Sequence, residues 1–169
     1  TRSLPAAWSR AVWIGLALLA VAAVLYRFVF SRHVGRLPYT VSEVAHPANN
    51  VVELTLEPVK RSLNYLPGQF VYLTPWDRGL GSGYGEEHPY TLSSAPDERV
   101  LRMAIKDLGD ASRALQHVAT GSRVEIEGPY GDFLSIRVGT ELWIAGGIGI
   151  TPFLSRARHL AATGAGALA

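Results

Sequence analysis

Leu142-Trp143-Ile144-Ala145-Gly146-Gly147-Ile148-Gly149-Ile150-Thr151-Pro152 is the stretch at which the grammar of this chain changes. Its first four residues are continuously apolar, the pattern of a strand buried on both faces. The glycines that follow allow a tight turn. Thr151 and Pro152 then predict a helix start, with Thr151 as N-cap and Pro152 in the first helical position. Phe153 to Ala162 is the expected helix, ending at Gly164. Strand, glycine turn and helix in this order open a parallel nucleotide-binding sheet. The spacing is not GxGxxG, and a glycine turn that serves packing alone is the rival reading. A domain boundary therefore falls near Gly139-Thr140.

Working back from that boundary, the pattern is one of short strands. Val52, Leu54 and Leu56 alternate with Glu53, Thr55 and Glu57, and Leu101, Met103 and Ile105 alternate with Arg102, Ala104 and Lys106. Both have the period of a half-buried strand. Further strands are expected over Tyr39 to Val44, Phe70 to Thr74 after a Pro67-Gly68 turn, Val124 to Glu127, and around Phe133 to Ile136. One helix interrupts them, capped by Asp110, running over Ala111 to Ala119 and closed by Gly121. Several strands with one helix predict a small antiparallel barrel. The glycine-rich Trp76 to His88 segment reads as a flexible connector or lid with no function of its own.

At the other end, Ala11 to Tyr26 carries no charge, and apolar residues resume at Phe28-Val29-Phe30 after Arg27. A helix over residues 8–30, rising ~1.5 Å per residue, would cross the ~30 Å hydrocarbon layer. Trp8, Trp13 and Tyr26 suit interfacial belts, and Arg27 can snorkel. A buried core helix is one rival. A signal peptide cut near Ala20-Val21-Ala22, releasing a secreted barrel, is another. Arg27, Arg32 and Arg36, with His33 among them, follow the span and favour the cytoplasmic side for what comes next.

The chain has 169 residues and a formal net charge of +2, which gives no reason to expect a nucleic-acid partner. It contains no cysteine, so disulfides and thiolate-held clusters are excluded within it. His46, His117 and His159 lack partners at metal-ligand spacing, and no metal site is expected. Arg156 and Arg158 belong either to a solvated face or near a nucleotide phosphate. Both ends of the chain read as cuts in a longer polypeptide.

Three segments could carry chemistry. His88-Pro89-Tyr90-Thr91-Leu92-Ser93-Ser94-Ala95-Pro96 offers an aromatic and hydroxyls at strand spacing, with Tyr90, Leu92 and Ser94 on one face and Thr91 and Ser93 on the other. A planar, partly apolar ring needs such a surface, although an ordinary strand with a core tyrosine has the same composition. Ile105-Lys106-Asp107-Leu108-Gly109-Asp110-Ala111-Ser112 runs from a strand into a helix start, where an anion can sit near Ser112 and Lys106 or Arg113. A plain capped helix is its rival. The third segment is the glycine turn already described.

In this order the segments resemble the ferredoxin–NADP reductase superfamily, specifically its ferric reductase and NADPH oxidase branch. HPYTLSSAP is similar to that branch's flavin motif, and IKDLGDAS to the segment facing the FAD pyrophosphate. EGPYGDF (Glu127 to Phe133) is similar to its GPYG loop, AGGIGITPFLS (Ala145 to Ser155) to its nucleotide loop, and PGQF (Pro67 to Phe70) to a turn of its flavin barrel. The resemblance covers about Tyr39 to Leu160.

It implies a transmembrane helix over residues 8–30, an antiparallel FAD-binding β-barrel with one helix over 37–138, and the truncated start of an α/β parallel-sheet NAD(P)-binding domain over 140–169. Tyr90 would pack on the isoalloxazine, and Thr91 would bond near the flavin N5 as the catalytic residue. His88, Pro89, Ser93 and Ser94 complete the flavin motif, with His88 standing where soluble relatives carry an arginine. Lys106, Gly109 and Ser112 would face the diphosphate. Gly146, Gly147, Gly149, Ile150 and Thr151 would line the nicotinamide nucleotide site.

The implied activity is a membrane-bound flavoprotein oxidoreductase. It passes electrons from NAD(P)H through FAD towards membrane haem, and then to ferric iron or dioxygen. Haem is expected only on helices upstream of this chain, since no histidine lies between Ala11 and Phe30. The chain by itself is expected to be inactive. The rival function is a membrane-tethered flavin-binding relay or sensor module without its own NAD(P)H turnover.

Overall fold

The computed structural model describes residues 6–29, 35–134 and 141–164. Two compact units result, one ending at Arg36 and one starting at Leu37. The first is helix α1, Ala6–Val29. Its stretch Trp8–Tyr26 has a mean hydropathy of 1.9, none of it is buried inside the protein, and it is long and apolar enough to cross a membrane. Phe30, Arg32 and His33 lie outside the described residues.

The second unit is built on six strands: β1 Leu37–Ala48, β2 Val51–Pro58, β3 Phe70–Pro75, β4 His88–Thr91, β5 Leu101–Lys106 and β6 Arg123–Tyr130. They form one antiparallel sheet in the order β4-β3-β6-β1-β2-β5. The alternation read from sequence fixes the inward rows. Leu54 pairs with Met103, Leu56 with Leu101 and Val52 with Ile105 across β2 and β5, and all six are buried. Leu73 pairs with Ile126 and Ile126 with Leu37 on the other side of the core. Burying each such side chain contributes about 1.5–3 kcal/mol.

The sheet curls until its two ends meet just beyond β4. There Ser93 N–H donates to the Arg102 carbonyl at 2.7 Å, and Arg102 N–H donates to the Ser94 hydroxyl at 3.0 Å. A serine side chain thus stands in for a strand carbonyl at the seam, and the expected antiparallel barrel forms. The segment after β2 packs Leu63 and Tyr65 into the core. It is tied down where Leu63 N–H donates to the buried Tyr39 hydroxyl at 2.8 Å.

Five local expectations change. The flavin-motif strand stops at Thr91, because Leu92, Ser93 and Ser94 all turn into buried positions and cannot alternate between faces. Helix α2 spans only Asp110–Leu115, with Asp110 as its first residue and Gly109 before it. Gln116 ends it by donating its amide to the Ile105 and Ser112 carbonyls, while Val118 swings into the core. Packing overrides propensity there. Phe133 and Leu134 form a turn rather than a strand, and Ser135 to Thr140, with the expected boundary, lie outside the described residues.

Leu142 to Ala145 is likewise not a strand. Such a strand needs neighbours on both edges, and among the described residues none lies beside this run, so Leu142 and Ile144 are 87% and 83% exposed. Finally, Thr151 does not cap the last helix. A 3-10 turn, Gly147–Ile150, leads straight into helix α3, Thr151–Thr163, and the Thr151 hydroxyl donates to the Ile148 carbonyl at 3.0 Å. Pro152 sits in the first turn, and Gly164 closes the helix in the left-handed region, φ 68°.

Candidate functional site

A cavity of about 590 Å3 opens between the β4 edge of the barrel and the glycine turn before α3. Strand β4 supplies His88, Pro89, Tyr90 and Thr91. Strand β5 and the residues after it supply Ala104, Ile105, Lys106 and Leu108, α2 supplies Ser112, and the turn and first residues of α3 supply Ile148, Gly149, Thr151 and Pro152. Closure of the sheet brings β4 and β5 together, although they stand at opposite ends of the strand order.

Tyr90 pairs with Val71 in the β3–β4 ladder and packs against the core. Burial alone pushes its phenol up to about 12, so the hydroxyl stays a neutral donor at any physiological pH. Phe70, next to the Pro67-Gly68 turn, stacks obliquely on Tyr130 at 5.8 Å and reaches the cavity beside Gly68. Phe133 reaches it from the loop after β6 and meets Phe153 of α3 edge-on at 5.8 Å. The wall is thus mostly aromatic and aliphatic, with His88, Thr91, Lys106, Ser112 and Thr151 as polar points.

Three of the polar groups are already engaged, the Thr151 hydroxyl by the Ile148 carbonyl. His88 Nε2 lies 3.2 Å from the Glu86 carboxylate. The Ser112 hydroxyl donates to the Gly109 carbonyl at 3.0 Å and accepts from Leu108 N–H at 2.9 Å. That leaves Ser112 one lone pair but no free proton. Next in the chain to Lys106, Asp107 accepts from Arg113 Nε at 3.1 Å through one oxygen. Its other oxygen is buried and without a partner among the described residues.

Of the residues singled out from sequence, the cavity gathers His88, Pro89, Tyr90, Thr91, Lys106, Ser112, Gly149 and Thr151. It does not gather Gly109, Gly146, Gly147 or Ile150, nor Ser93 and Ser94, which are fully buried behind it. Ser93 Oγ donates to Glu53 at 3.3 Å, and Ser94 Oγ meets the Tyr65 hydroxyl at 2.7 Å. Sequence reasoning does not find the apolar wall formed by Phe70, Leu108 and Phe133. Each sits within or beside a quoted motif, and that adjacency is the available signal.

The connector expected to be idle also takes part. Ser82 Oγ donates to the Asp110 carbonyl at 2.9 Å, and Gly83 lies against Ala111, so the segment braces the start of α2. At its beginning, Asp77 accepts from Ser122 Oγ at 2.6 Å and from Gly79 N–H at 2.8 Å. These donors, Ser122 first, hold its carboxyl below the usual carboxylate range. Arg158 and Arg156 are not a free solvated face: Arg158 donates to the Ser93 carbonyl, and Arg156 stands 3.8 Å from Glu141.

Comparison with known proteins gives a consistent answer. A family model described as an FAD-binding domain matches residues 36–133. NADPH oxidase 1 of Mus musculus is 28% identical over 160 residues, 89% of this chain and 25% of that protein. NADPH oxidase 3 of Rattus norvegicus is 31% identical over 166 residues, 89% of this chain and 27% of that protein. Among solved structures, phthalate dioxygenase reductase superposes with a TM-score of 0.65 at 26% identity, covering 77% of this chain and 41% of that one. The chain spans about a quarter of the length of these two oxidases.

Proposed function

The chain belongs to the FAD-binding domain family, within the NADPH oxidase and ferric reductase branch of the ferredoxin–NADP reductase superfamily, and from that premise we propose that it is the flavin-binding part of a membrane-bound oxidoreductase. Electrons enter from NAD(P)H, pass through FAD, and leave towards membrane haem and then ferric iron or dioxygen. In this reading α1 is a transmembrane helix, residues 37–138 hold FAD on the cytoplasmic side, and residues 140–169 begin the NAD(P)-binding domain.

One observation carries the reading. A single cavity joins the flavin-motif strand β4, the cation Lys106 and the glycine turn before α3. An aromatic and aliphatic wall with few polar points suits a planar ring with a charged tail. The unpartnered Asp107 oxygen also suits a ligand bearing hydroxyl donors.

FAD, when bound, supplies the ability to take two electrons together and release them singly, a chemistry no side chain offers. The residues do the rest. Tyr90 presents its ring to the isoalloxazine, and Thr91 orients it through a hydroxyl near N5. Lys106 offsets diphosphate charge, with Gly109 and Ser112 beside it. Ser112, its proton committed to Gly109, serves as an anchor of that loop. His88, held by Glu86, is a positioning neighbour rather than a phosphate ligand. Gly146, Gly147, Gly149, Ile150 and Thr151 admit the nicotinamide, because glycines without side chains at the turn let a ring approach closely. Ser93 and Ser94 act from behind the cavity, through the barrel seam.

The test is the visible spectrum of the full-length protein, purified from membranes, before and after anaerobic NADPH. Flavin and haem bands that both respond to the nucleotide are the expected result. Flavin bands that bleach without any haem keep the reductase and remove the membrane relay. Bound flavin that does not bleach leaves a relay module without turnover. A protein that stays colourless after added FAD sinks the proposal.

A further inference from the structure

Helix α3 is fastened to the barrel by three side chains on one face. The Ser155 hydroxyl, fully buried, donates to the Ser94 carbonyl at 2.6 Å. The Arg158 guanidinium donates to the Ser93 carbonyl at 2.7 Å and stands 3.5 Å from Glu53. His159 Nδ1 lies 3.0 Å from the Asp97 carboxylate. Positions 155, 158 and 159 share the face of Thr151, four residues before Ser155. At ~1.5 Å per residue, the helix start that lines the cavity is ~6 Å from this fastening.

The barrel side is equally direct. Only Leu92 separates Ser93 from the cavity residue Thr91. Ser94 is itself held rigidly, since its carbonyl also accepts from the Tyr65 hydroxyl at 2.8 Å and its own hydroxyl accepts from Arg102 N–H at the seam. The wall that carries Tyr90 and Thr91 and the wall that carries Gly149 and Thr151 therefore meet at one buried hydrogen-bonded cluster.

We infer that Ser155 and Arg158 are positioning residues that set the separation of nicotinamide and flavin by clamping α3 to the Ser93-Ser94 carbonyls. This rests on the function proposed above. In the step concerned, the C4–H bond of the dihydronicotinamide breaks. Its hydrogen and electron pair pass to the flavin N5, and the oxidised nicotinamide keeps a positive ring charge. Transfer of this kind falls steeply with misplacement, up to about 100-fold for an error near 1 Å.

The clamp can be loosened without emptying the core of partners. In Ser155→Ala the Ser94 carbonyl still accepts from Tyr65, so no buried acceptor is orphaned and the variant folds. Arg158→Met removes the second donor, and Arg158→Lys restores one. The experiment uses the full-length protein loaded with FAD and mixed anaerobically with NADPH in a stopped-flow spectrometer. Four quantities are read: FAD affinity, the bleaching rate at saturating NADPH, the NADPH concentration at half-rate, and the long-wavelength charge-transfer absorbance of nicotinamide over flavin.

Ser155→Ala and Arg158→Met are expected to keep wild-type FAD affinity while bleaching about tenfold more slowly at saturation. Their charge-transfer band weakens, and Arg158→Lys recovers most of both signals. Wild-type rate and band in Ser155→Ala and Arg158→Met overturn the inference. So does a slower rate that only tracks lost FAD. Bound flavin that NADPH fails to bleach even in the wild type removes the functional reading and this inference together, a result distinct from either.

Discussion

Tyr90 combines an aromatic face at the cavity with a phenol kept neutral by burial. Tyr90→Ala removes that face, and loss of one anchoring aromatic at about 2 kcal/mol corresponds to about a 30-fold weaker FAD Kd. Tyr90→Phe is expected to bind almost as wild type, because the ring is retained. Fluorescence titration of FAD into the apoprotein measures both. Asp77 is a residue of the opposite kind, polar and away from the cavity, with its pKa lowered by the Ser122 and Gly79 donors. A carboxyl harder to protonate when folded stabilises above its unfolded value, and that contribution is lost as pH falls through the lower folded value. Urea titrations between about pH 6 and about pH 3 should therefore show the wild type losing more stability than Asp77→Asn. Asp77→Asn should start the less stable of the two at the higher pH.

Among the elements, the connector between β3 and β4 differs most from its sequence reading. Gly83 has φ 79°, and a Cβ there would stand 3.2 Å from the Ala111 Cβ of α2. Gly83→Ala is expected to cost about 1–2 kcal/mol from the left-handed backbone alone, with the contact adding to it. Because the connector braces the start of α2 beside Lys106 and Ser112, FAD affinity should fall together with the urea midpoint. A fall in midpoint with unchanged FAD affinity would show that the brace serves only the fold. The strands are far more legible in the sequence than α2 or the 3-10 turn. Alternation over Val52–Leu56 and Leu101–Ile105 reports burial directly. The end of α2, by contrast, is decided by where Gln116 and Val118 find partners, which no local pattern records.

For the molecule as a whole, α1 and the barrel are separate compact units, and the proposed function gives α1 the task of anchoring. The full-length protein is expected to stay with membranes through alkaline carbonate washing. A charge at the centre of a span costs about 2.5–3.5 kcal/mol, so Leu18→Arg with Leu19→Arg should weaken insertion of α1. Fractionation and immunoblotting read the outcome. Extraction of the wild type into the aqueous wash would remove the anchoring role of α1.

Sequence by itself determined the class of fold, the order of the motifs and the residues that carry them. Each of these rests on local signals: period-two burial in the strands, an uncharged apolar run, and glycines where the backbone must turn. Tertiary structure decided which of those residues share a cavity. Closure of the sheet through the Ser94 hydroxyl brings β4 to β5, although the two strands stand at opposite ends of the sheet order and are joined through it only by long-range pairing. It also withdrew Ser93 and Ser94 from the cavity and gave their carbonyls to Arg158 and Ser155. Such hydrogen bonds join residues more than sixty positions apart in the chain, and their partners are chosen by geometry that exists only after the core has packed.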